Sequence, residues 1–373
     1  MSIATNAAEQ PMPGPAAEHP NAAAPGHRAV AIWLLCCCAM IFAMVVIGGI
    51  TRLTLSGLSI TEWEPVIGAV PPLSPEAWAG EFEKYRRTTQ YRLINYGMGL
   101  DAFKSIYLWE YVHRLGGRLI GLAYALPLLY FVARRHLPRR MIAPLAGIFT
   151  LGAVQAALGW YMVQSGLADR VEVSQYRLVA HLALALAIYA ATLWVALGLL
   201  RGPARAPIRN YWRRGSEIVL GLVGITIVAG GFVAGLKAGL TYNTFPLMDG
   251  QFVPAGYAQL EPFARNWFEN VAAVQFDHRL LAIITLIAIG LLWIAGTRDS
   301  LPRSARLALH SLVAAAAVQF ALGIATLLWV VPIPLAAAHQ AGAVGLLTAA
   351  IVSRHALRVA PRAGNPSRAG EER

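Results

Sequence analysis

Four histidines in this 373-residue chain stand in two matched pairs. Glu110-Tyr111-Val112-His113-Arg114 recurs 165 residues later as Gln275-Phe276-Asp277-His278-Arg279, and Val179-Ala180-His181 recurs 158 residues later as Ala337-Ala338-His339. A neutral imidazole in apolar surroundings needs both ring nitrogens occupied, and a metal on one with a hydrogen bond on the other does this. Two histidines on separate helices of one bundle can face each other across a flat iron porphyrin, which pairs His113 with His181 and His278 with His339. Zinc is a poorer match, because it takes about four ligands in a structural site and about three plus water in a catalytic one. The competing reading is four hydrogen-bonded core histidines or a proton path. The other five histidines have no such counterparts: His19 and His27 lie near the N-terminus, His136 in a basic turn, His310 on an apolar segment and His355 near the C-terminus.

The neighbours of the matched histidines differ between the halves. Glu110 stands three residues before His113, so on a continuous helix both approach one face, whereas Gln275 stands before His278. A carboxylate beside a porphyrin edge can exchange a proton or stabilise a developing cation, which an amide cannot. Glu110 is therefore the acid/base candidate, against the plainer alternative of an interfacial carboxylate paired with Arg114. Arg52, Arg114, Arg118 and Arg279 are placed to pair with propionates at an interface through charge-assisted bonds, or else to snorkel from helix ends.

Such side chains need a scaffold, and composition names its class. The chain is 57% hydrophobic and only 13% charged, far from the roughly 25% charged residues of soluble domains. Apolar runs at 29–49, 113–133, 141–163, 178–200, 216–236, 278–296, 305–330 and 335–353 predict eight membrane-spanning helices. The fold class expected is an all-α integral membrane protein with two tandem four-helix bundles. The net charge of +12 does not point to nucleic acid, because the arginines gather in alternate connections: 134–140, 201–214, 298–306 and the stretch after 353. The positive-inside bias then puts both termini in the cytoplasm and the long segments 50–112 and 237–277 outside, in the periplasm of a bacterium. Aromatic residues in those segments suit them to lie as lids over the bundle ends. The division expected is a disordered tail over 1–28, a bundle over 29–200, a linker over 201–215, a second bundle over 216–353 and a tail over 354–373. Residues 1–28 lack the basic start and cleavage pattern of a signal peptide. The three cysteines, Cys36, Cys37 and Cys38, are adjacent within the first span and form no CxxC motif.

The halves also echo one another outside the histidines. Gly48-Gly49, then Gly57-Leu58-Ser59 and Pro65, recur as Gly230-Gly231, then Gly239-Leu240-Thr241 and Pro246. Four spans per half is an even number, so both halves enter the membrane the same way and should be related by a pseudo-twofold axis along its normal.

Several stretches together resemble haem A synthases: Thr51-Arg52-Leu53-Thr54 with Ser56-Gly57-Leu58-Ser59-Ile60, the Glu110-to-Arg114 run, Gly159-Trp160-Tyr161-Met162-Val163, and Asn243-Thr244-Phe245-Pro246-Leu247-Met248. The likeness covers about residues 30–355 and follows the branch without outer-loop cysteine pairs. The resemblance implies an oxidoreductase of the bacterial inner membrane that converts the position-8 methyl group of haem O to the formyl group of haem A. It implies haem b as cofactor on His278 and His339, substrate haem O at His113 and His181, and Glu110 as acid/base. It further implies an electron acceptor or donor, and contact with haem O synthase and cytochrome oxidase assembly factors. A homo-oligomer is compatible with the sequence.

Overall fold

The computed structural model describes residues 25–63, 67–169, 171–201 and 210–358. The expected N-terminal tail up to 24, most of the 201–215 linker and the stretch from 359 onward lie outside the described residues. Eleven α-helices occur among the described residues, and we number them in order: α1 Pro25–Leu53, α2 Pro75–Arg86, α3 Thr89–Leu93, α4 Leu100–Ala133, α5 Arg139–Asp169, α6 Gln175–Arg201, α7 Asn210–Gly235, α8 Asn266–Glu269, α9 Val271–Arg298, α10 Arg303–Leu328 and α11 Ile333–Ala356. Eight of them, α1, α4 to α7 and α9 to α11, are long and apolar enough to cross a membrane. The protein is a multi-pass, all-helical membrane protein.

Contacts close two rings of four helices. In the first, α1 packs on α4 and α6, and α5 on α4 and α6; in the second, α7 packs on α9 and α11, and α10 on α9 and α11. The rings meet through α1 with α11, α6 with α7, and α6 with α11. The main core runs through both, from Leu34 and Cys37 through Tyr189 and Leu193 to Ile289, Leu312 and Ile351. Pro127 lies within α4 and Pro144 within α5, as spanning helices tolerate where neighbouring groups satisfy the freed carbonyls.

The second span begins earlier than its apolar run. α4 starts at Leu100, so the last thirteen residues of the expected outer segment 50–112 are helical and continuous with the span. Asp101, Lys104 and Glu110 lower the hydropathy there, but Phe103, Ile106 and Tyr107 follow helical spacing. They pack with Ile60, Tyr85 and Tyr91 into a separate lid core. Local caps fix the lid: Ser74 accepts from the Ala77 amide at 3.2 Å with Pro75 in the first turn of α2, and Thr88 Oγ1 accepts from the Tyr91 amide to start α3. In the second half, Asn270 caps α9 by accepting from Ala272 and Ala273.

Candidate haem-binding centre

Each matched histidine stands near the lid end of its helix. His181 is six residues into α6, His278 seven into α9 and His339 six into α11, about 10 Å of helix in each case. His113 is thirteen residues into α4 because that helix projects beyond the others to wall the lid.

A glycine from the adjacent helix faces every one of these rings. A methyl group added at Gly48 on α1 would lie 3.1 Å from His113 Nε2, and one at Gly159 on α5 would lie 2.9 Å from His181 Cε1. In the second ring of helices, Gly230 on α7 stands 2.9 Å from His278 Cε1 and Gly323 on α10 stands 2.9 Å from His339 Cε1 by the same measure. Any side chain there would displace the imidazole. His113 and His181 stand on helices of the first ring, and His278 and His339 on helices of the second. Among the described residues no cluster of three or more His, Cys, Asp or Glu side chains comes together.

The partners of the imidazole nitrogens differ between the halves. His278 Nδ1 lies 3.1 Å from the Thr226 carbonyl; a carbonyl only accepts, so Nδ1 carries the proton and Nε2 keeps its lone pair. The Gln319 amide lies 3.1 Å from His339 Nδ1 and also donates to the His339 carbonyl at 2.9 Å. Gln155, at the equivalent place on α5, donates to the His181 carbonyl at 3.0 Å, but His181 Nδ1 is buried without a partner. Ala-Val-Gln-Xaa-Ala-Leu-Gly, ending at Gly159 and again at Gly323, is a repeat that sequence reasoning missed, and its signal was the matched four-residue step from Gln to Gly.

Glu110 occupies a different position from that expected of a free acid/base group. Its Oε2 accepts from the Ser59 amide at 2.7 Å, the Ser59 hydroxyl at 2.7 Å and the Ile60 amide at 2.9 Å. Its Oε1 accepts from Arg114 Nε at 3.1 Å and Nη2 at 2.6 Å. The carboxylate is buried, and both oxygens are engaged in holding the turn after α1 to α4. Gln275 holds the equivalent turn with the opposite polarity, donating to the Ala238 and Thr241 carbonyls at 2.9 and 2.8 Å.

The four arginines expected at propionates are likewise committed to the chain itself. Arg114 donates to the Ile60 and Glu62 carbonyls, and Arg279 to Tyr242 and Thr244, the positions 182 residues later. Arg118 donates to the Gly68 carbonyl at 2.9 Å. Arg52 bridges the halves, donating to the Ala234 carbonyl at 3.0 Å and pairing with Glu172 at 3.2 Å, while Lys237 pairs with the same carboxylate. Clamping the lids is thus the observed work of Arg114, Arg118 and Arg279. Donor capacity remains, since the Nε groups of Arg52 and Arg279 are buried without an acceptor.

The residues present fit haem. Two imidazoles in each ring of helices, glycines that make room beside each of them, and buried unpartnered nitrogens at His181, Arg52 and Arg279 form a donor set suited to a haem iron and to its carboxylates.

Known proteins resemble the chain along most of its length. Residues 31–351 match the COX15-CtaA family model, described as cytochrome oxidase assembly protein. Heme A synthase of Nitrosospira multiformis is 55% identical over 335 residues, covering 89% of this chain and 94% of that one. Heme A synthase of Rhodospirillum centenum is 52% identical, covering 91% and 90%, and Heme A synthase COX15 of Arabidopsis thaliana is 46% identical, covering 88% and 74%. With two four-helix rings and a match along nearly the whole span-bearing chain, the protein belongs to the COX15-CtaA family, among the haem A synthases.

Proposed function

We propose that this protein oxidises the position-8 methyl group of haem O to the formyl group of haem A, with His113 and His181 holding the substrate iron and His278 and His339 holding haem b. The observation that carries the reading is the repeated seat: four rings, each against a glycine of the next helix, in two helix rings of like connectivity. The difference in these nitrogen partners supports the division of labour. Thr226 fixes the His278 tautomer for lasting ligation, whereas His181 Nδ1 has no partner and its ring is freer to accept and release a substrate.

The methyl group is oxidised first to the alcohol and then to a geminal diol, which loses water to give the aldehyde. Haem b, when bound, supplies one-electron transfer. The chain's own residues position and enclose. Glu110 and Arg114 fix the first lid over the substrate half, and Gln275 and Arg279 fix the second. Glu110 serves through the turn it holds, and proton transfer by it would require its contacts with Ser59 and Ile60 to open. Were His113 and His181 both to hold the substrate iron, oxidation by electron removal and attack of water would be favoured over dioxygen binding there. The contacts between rings, α1 with α11 and α7 with α6, exchange when the halves are swapped, which supports the pseudo-twofold axis. The arginine-rich end then faces the cytoplasm of a bacterial inner membrane, and the haem sites face the periplasm. Haem O synthase, oxidase assembly factors and an electron carrier are the partners this reaction calls for.

Pigment extraction tests the proposal. Protein produced together with haem O synthase should yield haem O or its oxidised products beside haem b; two permanent haems b and no product would make it an electron carrier. His278→Ala and His339→Ala should each abolish the low-spin haem b spectrum, and an unchanged spectrum would end the assignment.

A further inference from the structure

At the end of the bundle opposite the lids, the last turns of α6 and α11 bring three arginines around a buried histidine. His355 is 1% exposed. Arg201 Nη1 lies 3.4 Å from its Nδ1, Arg358 Nη2 also lies 3.4 Å from Nδ1, and Arg358 Nη2 contacts Nε2 as well. A guanidinium has donors only, and a neutral imidazole has one acceptor nitrogen. One ring N–H must therefore point at a guanidinium, so the cluster holds more donors than acceptors.

Charge is equally unbalanced. Arg354 pairs with Glu217 at 2.7 Å, but among the described residues neither Arg201 nor Arg358 has a carboxylate partner. Their carbonyl contacts are long, Arg201 to Val352 at 3.5 Å and Arg358 to His355 at 3.4 Å. Trp194 offers its ring face to Arg354 and Arg358 at 5.8 and 5.0 Å and meets His355 in a T-shaped contact, which orders the guanidinium groups without neutralising them. Burial, and after it the charges of Arg354 and Arg201, hold the Arg358 guanidinium below its ordinary range. The carbonyl ends of α6 and α11 favour cations nearby, but three guanidiniums on two helix ends exceed what half-charges offset.

We propose that Arg201, Arg354 and Arg358 form a phosphate-binding site between the ends of α6 and α11. A phosphate supplies the acceptor oxygens and negative charge the cluster lacks, and guanidinium forks match its geometry. Arg201 is exposed at the rim while His355 floors the site. The group comes either from an anionic phospholipid, whose headgroup lies at the depth of these helix ends, or from free phosphate.

Purified protein carrying haem b is tested for lipid retention by native mass spectrometry against phosphatidylglycerol, phosphatidylcholine and inorganic phosphate. The wild type should retain phosphatidylglycerol about tenfold better than Arg201→Gln and about a hundredfold better than Arg201→Gln/Arg358→Gln, while Arg201→Lys/Arg358→Lys keeps part of the affinity. The haem b spectrum reports that each variant is folded. Phosphatidylglycerol retained against millimolar phosphate identifies a lipid source; its displacement, or phosphate bound alone, identifies free phosphate. Equal retention by wild type and the folded double Gln variant, or preference for neither anion over phosphatidylcholine, overturns the site.

Discussion

Replacing Glu110 with Gln separates a group that holds the lid from one that moves a proton. In the wild type, one oxygen takes three donors from Ser59 and Ile60 and the other takes two from Arg114. Glutamine has one oxygen to offer. If it turns to the backbone, its NH2 group meets the Arg114 guanidinium; if it turns to Arg114, its NH2 group meets two amide N–H donors. Breaking a buried ion pair costs about 3–5 kcal/mol, and each stranded donor about 1–3 kcal/mol. Arg114 keeps the Ile60 and Glu62 carbonyls, so about 3 kcal/mol at the lower end is expected. Each 1.4 kcal/mol is about tenfold, so the turn at 58–62 should open about a hundredfold more often. Amide hydrogen exchange of that segment should quicken accordingly while the buried middle of α6 stays protected and haem b remains bound. Gln275→Glu should do the same to the second turn, where a carboxylate would face the Ala238 and Thr241 carbonyls. Unchanged exchange in Glu110→Gln together with lost oxidation would refute the lid reading and return Glu110 to the chemistry.

Gly230→Ala should cut low-spin haem b per protein at least tenfold, because its methyl would stand 2.9 Å from the His278 ring, whereas Gly224→Ala on the same helix meets nothing within 4 Å and should be silent by the same absorption measurement. Glu172→Ala removes the carboxylate shared by Arg52 and Lys237; these groups are partly exposed, so the expected loss is about 1 kcal/mol or less and should shrink in high salt, read as the midpoint of thermal haem release. Hydrogen bonds from Lys84 to Glu62 and Glu81 hold its amine above the ordinary lysine range. Its contribution is therefore whole below about pH 10.4 and is lost only as the pH climbs through the raised folded value. Proteolysis of the lid should be flat in Lys84→Ala relative to wild type from about pH 6 to 9 except for a small constant offset, since the pair is more than a third exposed.

The spans and the matched setting of the four histidines were legible in the sequence for different reasons. An apolar run reports its own environment, so eight spans could be placed with their ends within seven residues of those observed. The exception was α4, where the lid needs polar residues on one face and the run was cut short at 113. The histidines were legible because repetition at a fixed offset is improbable for unrelated core residues. The arginines were not, since an arginine at a helix end reads alike whether it clamps a carbonyl or a carboxylate. Arg279 reaching Tyr242 and Thr244 depends on how the intervening turn folds back. Gly48-Gly49 was legible as a pair but not as two tasks. Gly48 faces His113 within its own half, whereas a methyl at Gly49 would meet the Gln340 side chain of α11 in the other half. Gly230 and Gly231 divide the same way, between His278 and Val179 of α6.

The same contrast bears on where the functional asymmetry of the halves resides. Glu110 against Gln275 invites a chemical explanation, but each side chain matches the polarity of the turn before it: N–H groups at Ser59 and Ile60 call for an acceptor, and carbonyls at Ala238 and Thr241 call for a donor. A difference accounted for by backbone polarity is weak ground for a difference in reaction. The partners of the imidazole nitrogens are stronger ground, because the partner of Nδ1 sets the tautomer, orientation and basicity of the ligating nitrogen. On that criterion the second half is the better defined at His278, where the Thr226 carbonyl takes the Nδ1 proton and leaves the Nε2 lone pair open, while the Gln319 amide donates to His339 Nδ1. The first half leaves His181 Nδ1 without a partner, so its ring is less firmly fixed, and the proposed division between a resident and a transient porphyrin rests on that difference rather than on Glu110.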